Sequence, residues 1–86
     1  MKVLVAVASR HGATRGIADA IAAVLVADQF DVTVAEPDDV DDLAPYDAVV
    51  LGSCVYVGRW SASARSLVDR FARELAARPV WLFSSG

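Results

Sequence analysis

Two runs, KVLVAVAS at residues 2–9 and DAVVLGS at residues 47–53, are apolar and β-branched with none of the polar alternation of a half-exposed strand. Strands of that kind are buried on both faces, which is the condition of a parallel sheet covered by helices above and below. A chain of 86 residues has room for one such domain. Its composition, 56% apolar and 22% charged, supplies a core of the ordinary globular kind and argues against disorder.

Between these runs the hydrophobic period changes. From Ala13 onward Ile17, Ile21, Val24 and Leu25 recur at helical spacing, with Arg15, Asp19 and Asp28 on other faces, so an amphipathic helix follows the first strand. DVTVAE, residues 31–36, alternates valine with polar residues as a strand nearer an edge does, and Pro37 ends it. The segment Asp38 to Pro45 carries four aspartates and reads as a solvated connection pinned by Val40 and Leu43. After a loop from Ser53 to Trp60, Ser61 is placed to cap a second helix whose apolar stripe is Ala64, Leu67, Val68, Phe71 and Leu75. Pro79 limits that helix, and VWLFS, residues 80–84, is a fourth strand. The order β-α-β-β-α-β with right-handed crossovers predicts an α/β doubly wound parallel sheet in strand order 2-1-3-4. Ligands of such sheets bind beyond the C-terminal ends of the strands where the crossovers diverge, here strands one and three. The loops Ser9 to Thr14 and Ser53 to Trp60 face that crevice.

The first loop, within ASRHGATRG at residues 8–16, joins a buried strand to a helix, which aims unpaired backbone N–H groups and the positive end of the helix dipole at one spot. Gly12 lets the backbone approach a ligand, Ser9 and Thr14 offer hydroxyls, and Arg10, His11 and Arg15 add positive potential, a set suited to one phosphate. The spacing matches neither the P-loop nor the dinucleotide fingerprint. Serine, threonine and glycine before a helix are equally ordinary capping chemistry, and His11 alone reads as a surface histidine. The second loop, GSCVYVGRW, brings Tyr56 and Trp60 to the same crevice, where a flat heteroaromatic ring would stack. The competing assignment is Trp60 as a hydrophobic staple under the second helix. Cys54 reads as a small residue at a strand end with no base beside it.

Several classes are disfavoured. Eight basic against 11 acidic residues give a net charge of −3, which argues against a nucleic-acid surface. The one cysteine rules out an internal disulfide and fits a reducing compartment. The longest apolar run, Ala20 to Ala27, is far short of the roughly 20 residues of a membrane span, and no secretion signal is evident, so a cytoplasmic protein is expected. The aspartate segment lacks calcium-loop spacing, and no metal site is expected.

Three stretches together resemble the N-terminal portion of flavodoxin-like FMN proteins, most nearly the menaquinone-dependent protoporphyrinogen oxidase group: VLVAVASRHGATRGIADAIA, YDAVVLGSCVYVGRW and RPVWLFSSG. The resemblance implies that Ser9, Arg10, His11, Gly12, Ala13 and Thr14 surround the FMN phosphate. It implies further that Ser53, Cys54, Val55, Tyr56, Val57, Gly58 and Trp60 border the isoalloxazine ring, and that Ser84, Ser85 and Gly86 begin a third flavin-contacting loop. Classical flavodoxins commonly carry a hydroxyl residue where His11 stands; the basic tint of this loop is nearer the oxidase group. No side chain is expected to act as an acid or base, because the flavin carries the chemistry. The implied activity is electron or hydride transfer to a redox partner such as a quinone or porphyrinogen, at the membrane periphery if the acceptor is a quinone. The family continues past the fourth strand with a helix, a strand and a helix. Residues 1–86 are therefore expected to be one truncated flavodoxin-like domain, either a piece of a longer protein or a half-domain that self-associates through its exposed fourth strand. The alternative is a cofactor-free module of the same fold acting by assembly. A phosphorylation receiver domain is disfavoured, since Ser9 and Arg10 stand where that chemistry wants acidic residues.

Overall fold

The computed structural model describes residues 1–8, 13–56 and 59–85, with residues 13–15, 17, 54–56, 59, 60 and 85 described through their backbone. The elements are β1 (Lys2–Ala8), α1 (Ala13–Ala27), β2 (Asp31–Ala35), a 3-10 turn (Pro37–Asp39), β3 (Ala48–Tyr56), β4 (Arg59–Trp60), α2 (Ala62–Arg70), α3 (Ala72–Ala76) and β5 (Val80–Ser85). Four of the strands are parallel in the order β2-β1-β3-β5, the arrangement expected from the sequence. The fifth, β4, runs antiparallel to the end of β3.

Burial on both sheet faces explains the unalternating strands. Leu4, Ala6, Val49 and Leu51 point to one face and pack with Leu67 of α2 and with Val40 and Leu43 of the β2–β3 connection. Val3, Val5, Val7, Ala48 and Val50 point to the other and pack with Ala18 of α1. Fully burying one valine or leucine contributes roughly 1.5–3 kcal/mol, so β1 and β3, apolar on both sides, anchor the sheet. The edge strand β2 pairs with β1, and its alternate residues Val32 and Val34 turn to the α1 face.

Three local features differ from the sequence reading. Val24 and Val68, assigned to the apolar stripes, are exposed, at 63% and 39%. On α1, Ala18 and Leu25 pack with the sheet's core two turns apart on one line, and Ile21 between them lines an apolar groove. The second helix is divided at Phe71, whose backbone (φ −118°, ψ 26°) leaves the helical region before α3 begins. Phe71 and Leu75 nevertheless both pack against the α2-side core. The stretch expected as a loop from Ser53 begins instead as strand, since β3 runs on to Tyr56 and then pairs with β4.

The end of α1 closes by a Schellman motif: Phe30 N–H donates to Leu25 C=O at 3.0 Å, and Gln29 N–H donates to Val26 C=O at 2.9 Å. Gln29 occupies the left-handed position, φ 70°, where glycine is usual. The β2–β3 connection is held by two arginines acting on main chain. Arg70 donates to the carbonyls of Val40 (3.0 Å) and Pro37 (2.9 Å). Arg78 donates to those of Leu43, Tyr46 (2.8 Å) and Glu74 (2.7 Å). These bonds attach the connection to α2 and to the end of α3.

Candidate functional site

The topology places the diverging crossovers at the C-terminal ends of β1 and β3. From β1 the chain crosses through α1 to β2 on one side, then returns to β3 on the other side of β1. The registers align the strand ends: Ala8 of β1 is opposite Ser53 of β3, and Ser53 is opposite Ser84 of β5. The described residues at which the three candidate stretches begin or which they follow, Ala8, Ser53 and Ser84, therefore lie at the same end of the sheet on three adjacent parallel strands. Sequence spacing alone leaves this juxtaposition open, because it depends on which strands are neighbours and in what register.

Ser9, Arg10, His11 and Gly12 lie outside the described residues, as do Val57, Gly58 and Gly86. Ala13 and Thr14 open α1, a 15-residue helix with no acidic residue in its first turn. The positive end of its dipole thus meets no carboxylate of that turn. Cys54, Val55 and Tyr56 continue β3, and the pairings Val55 with Trp60 and Tyr56 with Arg59 fold β4 back on it. Ser84 and Ser85 end β5, with Ser85 opposite Cys54.

Ser53 departs from a simple crevice-lining role. It is fully buried, at 0% exposure, on the α2 side of the sheet. The backbone N–H of Ser61 donates to its Oγ at 3.0 Å, and that hydroxyl lies 3.3 Å from Ser61 Oγ. Ser61 in turn caps α2, accepting from Ala64 N–H at 3.4 Å as expected from the sequence, and lies 3.2 Å from Ser63 Oγ. The link between Ser53 and Ser61 had no signal in the sequence: eight positions separate the two serines, and only folding β4 back along β3 makes them neighbours.

A close approach lies just below. Gly52 faces Phe83 across β3 and β5, and a Cβ built on it would stand 2.1–2.6 Å from three atoms of the Phe83 ring. The ring occupies the space that any side chain at position 52 would need. Among the described residues no group of three or more His, Cys, Asp or Glu gathers as a metal site, and no helix is long and apolar enough to cross a membrane.

Four parallel strands in this order, with helices on both faces, define a doubly wound α/β fold. The flavodoxin domain model matches residues 4–86, and the chain belongs to the flavodoxin domain family. Solved structures agree. Oxidised flavodoxin 2 from Bacillus cereus is 34% identical with a TM-score of 0.85, the match covering 100% of this chain and 62% of that one. An archaeal flavodoxin is 28% identical with a TM-score of 0.76, covering 90% and 53%. The Fusobacterium nucleatum flavodoxin bound to flavin mononucleotide shares the fold at 20% identity and a TM-score of 0.79, covering 96% of this chain and 50% of that one. The chain thus spans between half and about three fifths of the length of these relatives. Comparison with curated proteins found no match.

Proposed function

We propose that this domain binds FMN at the C-terminal ends of β1, β3 and β5 and serves as a flavodoxin-like electron carrier. The observation that supports the reading is the alignment of Ala8, Ser53 and Ser84, the strand residues adjoining the three candidate stretches, at one end of the sheet. The residues fit the group. The first turn of α1 offers N–H donors and Thr14 with no carboxylate to oppose a phosphate, and residues 54–60 carry two aromatics for a flat ring. Ser9 to Thr14 would hold the phosphate, the stretch from Cys54 to Trp60 would border the isoalloxazine, and Ser84 to Gly86 would complete the rim. Bound FMN supplies one- or two-electron redox chemistry. The protein's own part is to bind, orient and shield the ring. Resemblance of the first loop to the protoporphyrinogen oxidase group supports a quinone or porphyrinogen as redox partner and a cytoplasmic setting, membrane-peripheral where the partner is a quinone.

Titration with FMN, followed by flavin fluorescence, tests the reading against two controls, Thr14→Ala and riboflavin in place of FMN. Saturable quenching that weakens in both controls is the expected result. A folded protein that leaves FMN fluorescence unchanged overturns it. Reoxidation of the photoreduced, FMN-loaded protein by a soluble menaquinone analogue tests the proposed acceptor, and no acceleration over free reduced FMN removes it.

A second reading, assembly through β5, has its own observation. Trp81 and Leu82 are 58% and 64% exposed on opposite faces of β5, which among the described residues pairs with β3. Beside them Met1, Ile21, Leu25, Phe30, Trp81 and Phe83 line an open apolar groove of about 370 Å³. Apolar surface of that kind at a sheet edge favours association, here with a second copy of the chain.

A further inference from the structure

We infer that Ser53 and Ser61 are a positioning pair that fixes the β3–β4 segment, and with it the aromatic residues Tyr56 and Trp60, relative to the rest of the sheet. The inference rests on the FMN reading for its consequence but on this chain's own geometry for its substance. Among the described residues, position 53 is the last of β3 held by both neighbours, opposite Ala8 of β1 and Ser84 of β5, and Cys54 stays opposite Ser85. Beyond it β3 continues to Tyr56 and pairs with β4, which ends at Trp60, immediately before Ser61. The bond from Ser61 N–H to Ser53 Oγ therefore joins β3, where it is paired on both sides, to the residue that caps α2.

The chemistry suits a clasp. Ser53 is fully buried, so its hydroxyl has protein partners in place of bulk water, and a bond there is harder to exchange for solvent than one at the surface. Ser61 Oγ accepts from Ser53 and from Ala64 N–H and shares a hydrogen bond with Ser63 Oγ. The chain of hydroxyls couples the clasp to the cap of α2, yet the two functions separate. Replacing the Ser61 side chain removes the cap and leaves its N–H bonded to Ser53. Replacing Ser53 removes the clasp and leaves the cap.

This separation gives the experiment. Ser53→Ala removes the acceptor, and Ser53→Cys keeps a small buried side chain but offers only a weak acceptor, guarding against a loss that reflects a cavity alone. Amide hydrogen exchange is measured first without flavin. The expected result for both variants is at least about tenfold faster exchange at Ser61 and in the β4 backbone, with β1 and the Leu67 region of α2 unchanged. FMN and riboflavin are then titrated. Since the clasp positions the ring-bordering segment, both ligands weaken together by about tenfold, the loss of one good hydrogen bond, whereas Thr14→Ala weakens FMN alone. Unchanged exchange in the variants overturns the clasp. Faster exchange with unaltered riboflavin binding overturns its role toward the ring. A wild-type protein that binds neither ligand defeats the FMN reading and the ring role with it, while the exchange measurement still decides the clasp.

Discussion

Substituting Gly52 by alanine places one methyl group where the Phe83 ring already lies. The nearest ring atom stands 2.1 Å from the new Cβ, and two more stand at 2.3 and 2.6 Å. Restoring an ordinary carbon–carbon contact of about 3.5 Å requires the ring to withdraw by roughly 1.4 Å. Phe83 sits on β5 and is half-buried, packed against the α1-side core, so it has room to swing outward, and moving strands β3 and β5 apart is unnecessary. The cost is the ring's lost packing plus residual strain, about 1–3 kcal/mol for overpacking of this size. In a small domain each kcal/mol lowers Tm by roughly 4–8 °C. With Phe83→Ala the obstacle is gone, and alanine then gains the roughly 0.5–1 kcal/mol by which it exceeds glycine inside a strand. The sign of the Gly52→Ala effect is therefore expected to reverse between the two backgrounds, a coupling of about 1.5 kcal/mol or more. Urea denaturation of the four proteins, with the m-value checked for constancy, measures it. Equal costs of Gly52→Ala in both backgrounds would refute the claim that the ring and the missing Cβ share one space.

Leu67→Ala removes a fully buried side chain from the α2-side core and is expected to cost about 2.7–5 kcal/mol in the same assay. Gln29→Gly relieves a left-handed residue in the Schellman motif and is expected to raise stability by up to about 1 kcal/mol, read as a higher urea midpoint. Arg78→Leu leaves the carbonyls of Leu43 and Tyr46 without this donor and is expected to cost about 1–3 kcal/mol, with faster amide exchange confined to residues 40–47. For the 86-residue chain by itself, light scattering is expected to show concentration-dependent association that Trp81→Glu abolishes; a monodisperse monomer at high micromolar concentration would count against the second reading.

What the sequence disclosed follows from how local each signal is. The apolar runs of β1 and β3, the first helix and the cap at Ser61 are written in neighbouring residues, and each matched the structure. The pinning roles of Val40 and Leu43 were equally legible, as two apolar residues in an otherwise acidic segment, and both are buried. Which face of a helix wins is less local. Ala18 is fully buried while the larger Val24 is exposed, because closeness to the sheet decides burial. The extension of β3 to Tyr56 was hidden by Gly52 and Ser53, which read as a strand's end. Their reasons lie across the sheet: Phe83 takes the place of a side chain at 52, and Ser61 takes the hydroxyl at 53. The phosphate and ring assignments stand on sequence chemistry, and what the structure adds is the common end of the sheet from which those stretches emerge.

The two arginines that hold the β2–β3 connection bear on how freely this segment can vary. Arg70 and Arg78 bond to carbonyl oxygens of Pro37, Val40, Leu43 and Tyr46, groups that every amino acid possesses. The attachment thus reads the path of the backbone and makes no use of the side chains of Asp38, Asp39 and Asp41, which are exposed, or of Asp42, whose Oδ1 accepts from Ala44 N–H at 2.9 Å. Point substitutions at Asp38, Asp39 and Asp41 are neutral to the grip, whereas a one-residue deletion shifts the carbonyls out of step with both guanidinium groups. Related chains should accordingly drift in letters across this stretch while keeping its length.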